Sequence, residues 1–107
     1  DWMARHFFSG GTMPTHDGFR RLVAPVAEVE QSWWIPGHEY TRTLEAWLDK
    51  MDADLPAARE ALLPTYGDEI VDLWTQRWRM FFMACAEFFA HGDGSTVGVS
   101  HHRLRLT

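Results

Sequence analysis

Aromatic and ionisable side chains dominate the chemistry open to this 107-residue chain: six Trp, seven Phe, two Tyr, six His and a single Cys. The histidines do not pair at chelating spacing. His6, His16 and His38 fall in loop and helix-end positions. His101 and His102 are adjacent, so on a strand they point to opposite faces and cannot share a metal ion. Only long-range assembly could build a metal site, and none is expected. Cys85 lies among Phe81, Phe82, Phe88 and Phe89, the setting of a small core residue with a raised thiol pKa rather than of a nucleophile. Ser9 and Ser32 lack the G-x-S-x-G frame of a nucleophile elbow. Asp49, Asp52 and Asp54 gather at a helix end, but Leu55-Pro56 breaks any calcium-loop frame, leaving a solvated face and a helix cap at Asp54. The one dense glycine cluster, Gly92-Asp93-Gly94 with Gly98, follows a helix, whereas a dinucleotide loop follows a strand and opens one. No cofactor-binding residue is assigned.

The tryptophans leave two readings open. Trp33, Trp34, Trp47, Trp74 and Trp78 are many for this length, and most must pack a core. They could equally wall an apolar channel for a lipid chain, where π-faces would also stabilise a passing cation.

The elements that must position these residues follow from periodicity. Residues 1–8 read as the last turns of a helix, and Ser9 to Thr15 as a loop broken by paired glycines and Pro14. Thr15-His16-Asp17 can cap a short helix. Ala27, Val29 and Trp33 alternate with Val26, Glu28, Glu30 and Ser32, the pattern of a half-buried strand over 26–34, with Pro36-Gly37 turning the chain after it. Tyr40, Leu44, Trp47, Leu48 and Met51 hold helical spacing. Asp54 caps a second helix with Pro56 in its first turn, and Pro64 to Gly67 interrupts. Asp68 opens the strongest helix, whose apolar stripe runs Ile70, Trp74, Trp78, Phe81, Cys85, Phe88 and is widened by Val71, Phe82 and Phe89. A glycine-rich stop at 91–94 leads to a second strand over 96–106, with a bulge or face change near His101-His102.

Composition narrows the class. At 46% apolar and 23% charged residues the chain is not disordered. A formal charge of −5 argues against a nucleic-acid surface. One cysteine excludes an internal disulfide framework, and no apolar run approaches a membrane span. The opening Asp1-Trp2-Met3 has no basic n-region, so no signal peptide is expected. Two strands cannot cover this much apolar helix surface, and an isolated ribbon is barely stable. The expected fold is therefore an α/β fragment whose two strands, about 26–34 and 96–106, join a larger sheet and bracket a helical insertion.

Three strings, in order, resemble one family: His6-Phe7-Phe8-Ser9-Gly10-Gly11-Thr12-Met13-Pro14-Thr15; Gly37-His38-Glu39-Tyr40-Thr41-Arg42-Thr43-Leu44-Glu45-Ala46-Trp47; and Tyr66-Gly67-Asp68 followed by Trp74, Arg77 to Phe82 and Cys85 to Phe89. They are similar to the C-terminal third of the cyclopropane-fatty-acyl-phospholipid synthase and mycolic acid cyclopropane synthase family, which are S-adenosylmethionine-dependent methyltransferases. The resemblance covers almost the whole chain. It implies that residues 1–107 are the C-terminal portion of one catalytic domain with a seven-stranded sheet, residues 26–34 its sixth strand and 96–106 its antiparallel seventh. The helices between would line an acyl pocket. The implied reaction adds a methylene or methyl group across a cis double bond of a membrane phospholipid, through a carbocation that bound bicarbonate deprotonates. Tyr40 is the implied bicarbonate ligand. The implied setting is cytoplasmic, peripheral at the inner membrane face, with no nucleic-acid partner and with a homodimer as an assembly.

One position departs from the family pattern. Many members have His directly before the tyrosine; here Glu39 stands there, with His38 one earlier. Glu39 should point about 100° away from Tyr40 around a helix, toward the surface. Arg20, Arg21, Arg77 and Arg79 are candidates for anionic headgroups or for ordinary ion pairs. The alternative class is a stand-alone helical module that binds an acyl chain or a partner without catalysis.

Overall fold

The computed structural model describes residues 1–107 throughout, and the chain divides into two compact units: residues 1–35 with 99–107, and residues 36–98. The first unit holds α1 (Trp2–His6), α2 (Gly18–Val23), β1 (Ala27–Pro36) and β2 (Gly98–Leu106). In α1 the Asp1 carboxylate accepts from Ala4 N at 2.8 Å, satisfying one of the orphan donors of the first turn. Ahead of α2 the capping falls to Thr15, whose Oγ1 accepts from Gly18 N at 2.9 Å, while Asp17 makes no cap bond.

β1 and β2 pair into a two-stranded antiparallel sheet. Its register is fixed by cross-strand charge pairs: Arg105 donates to Glu28, Arg103 donates to Glu30 at 3.1 Å, and Thr107 N donates to Val26 O at 3.2 Å. Ala27 and Val29 are buried, as the alternation predicts, but Trp33 is not their partner: it stands 43% exposed. The alternation breaks at Glu30 and Gln31, both exposed, after which Ser32 turns inward to bond His102. The face change thus shows on β1, opposite the stretch of β2 where it was expected.

The second unit is helical: α3 (Gly37–Ala53), α4 (Leu55–Tyr66), α5 (Val71–Ala90) and a 3-10 turn (His91–Gly94). The chain needs no turn at Pro36-Gly37; β1 runs to Pro36 and α3 starts at the next residue. Asp54 caps α4 by accepting from Ala57 N at 3.2 Å, with Pro56 in the first turn where its missing N–H costs nothing. Pro64 does not interrupt. It sits in the last turn of α4, which closes when Gly67 N bonds Leu63 O at 2.9 Å with Gly67 at φ 83°. Asp68 lies in the turn that follows, and α5 begins only at Val71.

Most of the expected stripe on α5 faces inward: Val71 is fully buried, and Trp74, Trp78, Phe81, Phe82, Cys85 and Phe89 are half-buried, while Ile70 and Phe88 are 44% and 49% exposed. Thr75 and Ala86 are buried beside it. Ala86 sits where the first turn of α3 meets α5, its carbonyl accepting from Thr41. Leu44 of α3, 1% exposed, and Val71, fully buried, anchor the core of this unit.

The α/β class and the helical insertion between two strands are as the sequence led us to expect.

Candidate functional site

Tyr40 occupies the first turn of α3, and three contacts within the helical unit fix where it stands. Gly37 lies so close to α5 that a Cβ there would collide with the carbonyl oxygens of Phe89 and Val97. Thr41 Oγ1 donates to Ala86 O at 2.8 Å, tying the same turn to α5. The Tyr40 ring then meets Phe89 edge-on, centroids 4.7 Å apart, and Trp47 edge-on at 6.1 Å. Burial, and secondarily the neighbouring Cys85, push its phenol pKa up, so at neutral pH it is an O–H donor. That hydroxyl makes no hydrogen bond to the protein. Cys85 is half-buried and its thiol is likewise pushed up by burial, which makes it a poor nucleophile.

Glu39 points to the surface as expected, where it pairs with Arg42 at 3.7 Å and with His38 Nε2 at 3.3 Å. His38 Nδ1 lies 3.1 Å from Asp93 O and packs on the 3-10 turn. In that turn Gly92, Asp93 and Gly94 all adopt positive φ, and a Cβ on Gly94 would strike His38 N. This glycine cluster is therefore a helix-to-strand turn whose Gly94 is buried against His38, while Gly92 and Asp93 are exposed.

The aromatic wall continues away from Tyr40. Trp47 contacts Phe82 at 6.1 Å, and Phe82 contacts Trp78 at 6.0 Å. Trp47, Trp78 and Phe82 floor an open groove of about 810 Å³ between α3, α4 and α5, with Met51, Ala58 and Leu62 on its sides. Tyr40 is not among its lining residues. It stands two helical turns from Trp47, roughly 10 Å along α3 at 1.5 Å per residue. A second groove of about 580 Å³ opens beside Thr41, over Leu48, Phe82 and Ala86, with Glu45 and Glu87 at its edge. At the far end of α5, Tyr66 stacks on Trp74 at 4.3 Å and accepts from Trp78 Nε1 at 3.3 Å, and the Arg77 guanidinium sits 4.8 Å over Trp74.

Arg79 forms a two-pronged pair with Asp52, Nε to Oδ1 at 2.6 Å and Nη2 to Oδ2 at 3.1 Å, which holds the Asp52 carboxyl below the usual range. It is therefore engaged, as the ordinary ion-pair reading requires. No three His, Cys, Asp or Glu side chains come together as a metal-ligand set. No helix is long and apolar enough to cross a membrane.

One cluster escaped the sequence. His16, Phe19, Ser32, Ser100 and His102 meet within the strand-bearing unit. They come from four places up to 86 residues apart, and no spacing rule links them.

With this geometry in place, comparison with known proteins points to methyltransferases. The chain is 28% identical over 106 residues to (S)-coclaurine N-methyltransferase of Thalictrum flavum subsp. glaucum, a match covering 94% of this chain and 29% of that protein. It is 27% identical over 104 residues to the (S)-coclaurine N-methyltransferase of Papaver somniferum, again 94% and 29%. It is 32% identical over 69 residues to a probable (S)-tetrahydroprotoberberine N-methyltransferase 2 of Papaver bracteatum, covering 63% and 19%. The chain thus spans less than a third of the length of these relatives. No protein-family model matches it. The relatives agree with the methyltransferase class that the motifs indicate. They lend no support to the cyclopropane-forming subclass or to bicarbonate.

Proposed function

We propose that this chain is the C-terminal part of an S-adenosylmethionine-dependent methyltransferase, within a single catalytic domain. The observation that carries the reading is the alignment of 94% of the chain with N-methyltransferases from two plants. S-adenosylmethionine would supply an electrophilic methyl group. The one glycine cluster of this chain follows a helix and leads into a strand, the reverse of a dinucleotide loop, so the cofactor would rest on other residues of the whole protein. The chain's own contribution is the acceptor side: an aromatic-floored groove and a protonated phenol at the start of α3.

The acceptor we favour is a nitrogen in a bulky apolar molecule. All three relatives are named N-methyltransferases, and a wall of Trp47, Trp78 and Phe82 suits an apolar amine, whose cationic form is attracted to π-faces.

A second reading rests on the three motif strings and on the apolar lining of the same groove. Here the acceptor is the cis alkene of a phospholipid acyl chain, the product a cyclopropane or methyl branch, and bicarbonate the base that removes the proton. Tyr40 fits one requirement of it: a half-buried hydroxyl, held protonated and without a partner in the protein, can donate to an anion. Peripheral contact with the inner face of a membrane, a cytoplasmic location and a homodimer belong to this reading.

One experiment separates them. The whole protein that carries this chain is incubated with methyl-labelled S-adenosylmethionine and either coclaurine or vesicles of unsaturated phosphatidylethanolamine. Label on the amine supports the favoured reading, and cyclopropane-bearing acyl chains support the second. Label on neither, with vesicles still bound, would make the chain a non-catalytic acyl-binding module.

A further inference from the structure

We propose that His16 and His102 form a pH-operated latch, fastening the α2 segment to β2 while both rings are neutral and releasing it when they are protonated. The inference lies wholly within the unit of residues 1–35 and 99–107 and is independent of the methyltransferase reading.

The geometry is specific. His16 Nδ1 lies 2.6 Å from Ser100 Oγ, and His102 Nδ1 lies 2.8 Å from Ser32 Oγ. The two imidazoles stack with centroids 5.4 Å apart and planes 28° apart, and Phe19 of α2 stacks on His102 at 4.3 Å and 15°. His102 Nε2 is buried without a hydrogen-bond partner. These contacts hold the segment from His16 to α2 against β2.

The orphaned Nε2 decides the charge state that closes the latch. A buried N–H with no acceptor carries its full desolvation cost, whereas a bare ring nitrogen carries less. Neutral His102 therefore keeps its proton on Nδ1, donating to Ser32 Oγ, an assignment made from the hydrogen-bond network. Protonation forces an N–H onto the buried Nε2. A second charge on His16 would then stack against the first.

The surrounding groups do not compensate. The α2 segment presents Asp17, Arg20 and Arg21, all exposed. On β1 the carboxylates Glu28 and Glu30 are held by Arg105 and Arg103, and β2 adds His101 on the opposite face. No ion pair joins a carboxylate to either latch ring.

Hydrogen exchange on the full chain at pH 7.5 and pH 5.5, corrected for intrinsic rates, tests this together with NMR titration of the imidazoles. The expected result is at least tenfold faster exchange of residues 18–23 at pH 5.5, tracking protonation of His102, while α3 and α5 stay protected. His102→Phe keeps a ring for Phe19 to stack on but cannot titrate, and His16→Gln removes the second charge. In each the pH dependence of α2 exchange should shrink, and in the double variant it should vanish. Should residues 18–23 stay protected while His102 is protonated, or the double variant respond to pH as the wild type does, or the whole chain lose protection at once, the latch is wrong.

Discussion

The rings of Tyr40 and Phe89 meet in a T-shaped contact with centroids 4.7 Å apart and planes at 85°. This contact joins the first turn of α3 to the last turns of α5 and leaves the phenol hydroxyl without a protein partner. Under the second reading the hydroxyl has work to do. Tyr40→Phe preserves the ring contact, so stability should change by less than about 0.5 kcal/mol, as for substitutions that disturb no packing. If Tyr40 holds an anion at the reacting centre, turnover of the whole enzyme should fall by about 10²-fold, the usual effect of losing one such donor. Cofactor affinity should be unchanged. Steady-state kinetics of the variant with each acceptor makes the check, and near-normal turnover removes the anion-ligand role.

Gly37 has no room for a side chain. Its Cβ would collide with two backbone oxygens, those of Phe89 and Val97, neither of which can swing aside as a side chain could. Gly37→Ala should therefore cost at least about 1–3 kcal/mol, the range for overpacking a close seam. Urea unfolding followed by tryptophan fluorescence measures it, and Gly11→Ala, in an open loop, serves as a control.

Thr41→Val removes the hydroxyl that bonds Ala86 O at 2.8 Å and leaves that carbonyl with its helical bond alone. A loss of about 1 kcal/mol is expected for one such bond. The same urea titration reads it.

The Asp52–Arg79 pair gives a pH prediction. Its hydrogen bond to Arg79 lowers the folded-state pKa of Asp52 below the unfolded value. Stability from this pair is thus fully present above the unfolded carboxylate range and is lost as pH falls through the lowered folded-state value. The difference in urea midpoint between wild type and Asp52→Asn should be largest at neutral pH and close in strong acid. A difference that stays constant with pH would assign the effect of the substitution to packing instead.

Much of this arrangement was readable in the residues, and the failures share a cause. Local signals held: Asp54 caps α4, Tyr40 to Met51 share α3, and the alternation at Ala27 and Val29 buries both. These depend on short-range periodicity and on single backbone bonds. The stripe of α5 is legible from Val71 to Phe89, but the burial of Thr75 and Ala86 is not, because hydrophobicity favours the largest aromatics while close helix packing admits small side chains. Pro64 carries the signature of a breaker, but in a final turn it forfeits little. Strict alternation places Trp33 on the face of Ala27 and Val29, and the irregularity at Glu30-Gln31 withdraws that face from it. Tyr40 was singled out through the family resemblance alone. The His16–His102 contact had no signal at all, because a stacked pair 86 residues apart is made by tertiary structure only.

The central claim is methyl transfer, and the most direct measurement follows the methyl group itself. The whole protein carrying this chain is given methyl-labelled S-adenosylmethionine with coclaurine and, separately, with unsaturated phospholipid vesicles, and the products are resolved by mass spectrometry. The account predicts label on an acceptor, with the amine favoured over the lipid. Binding of S-adenosylmethionine with no label on either acceptor class would contradict the proposed acceptors, and failure to bind it at all would contradict the methyltransferase assignment.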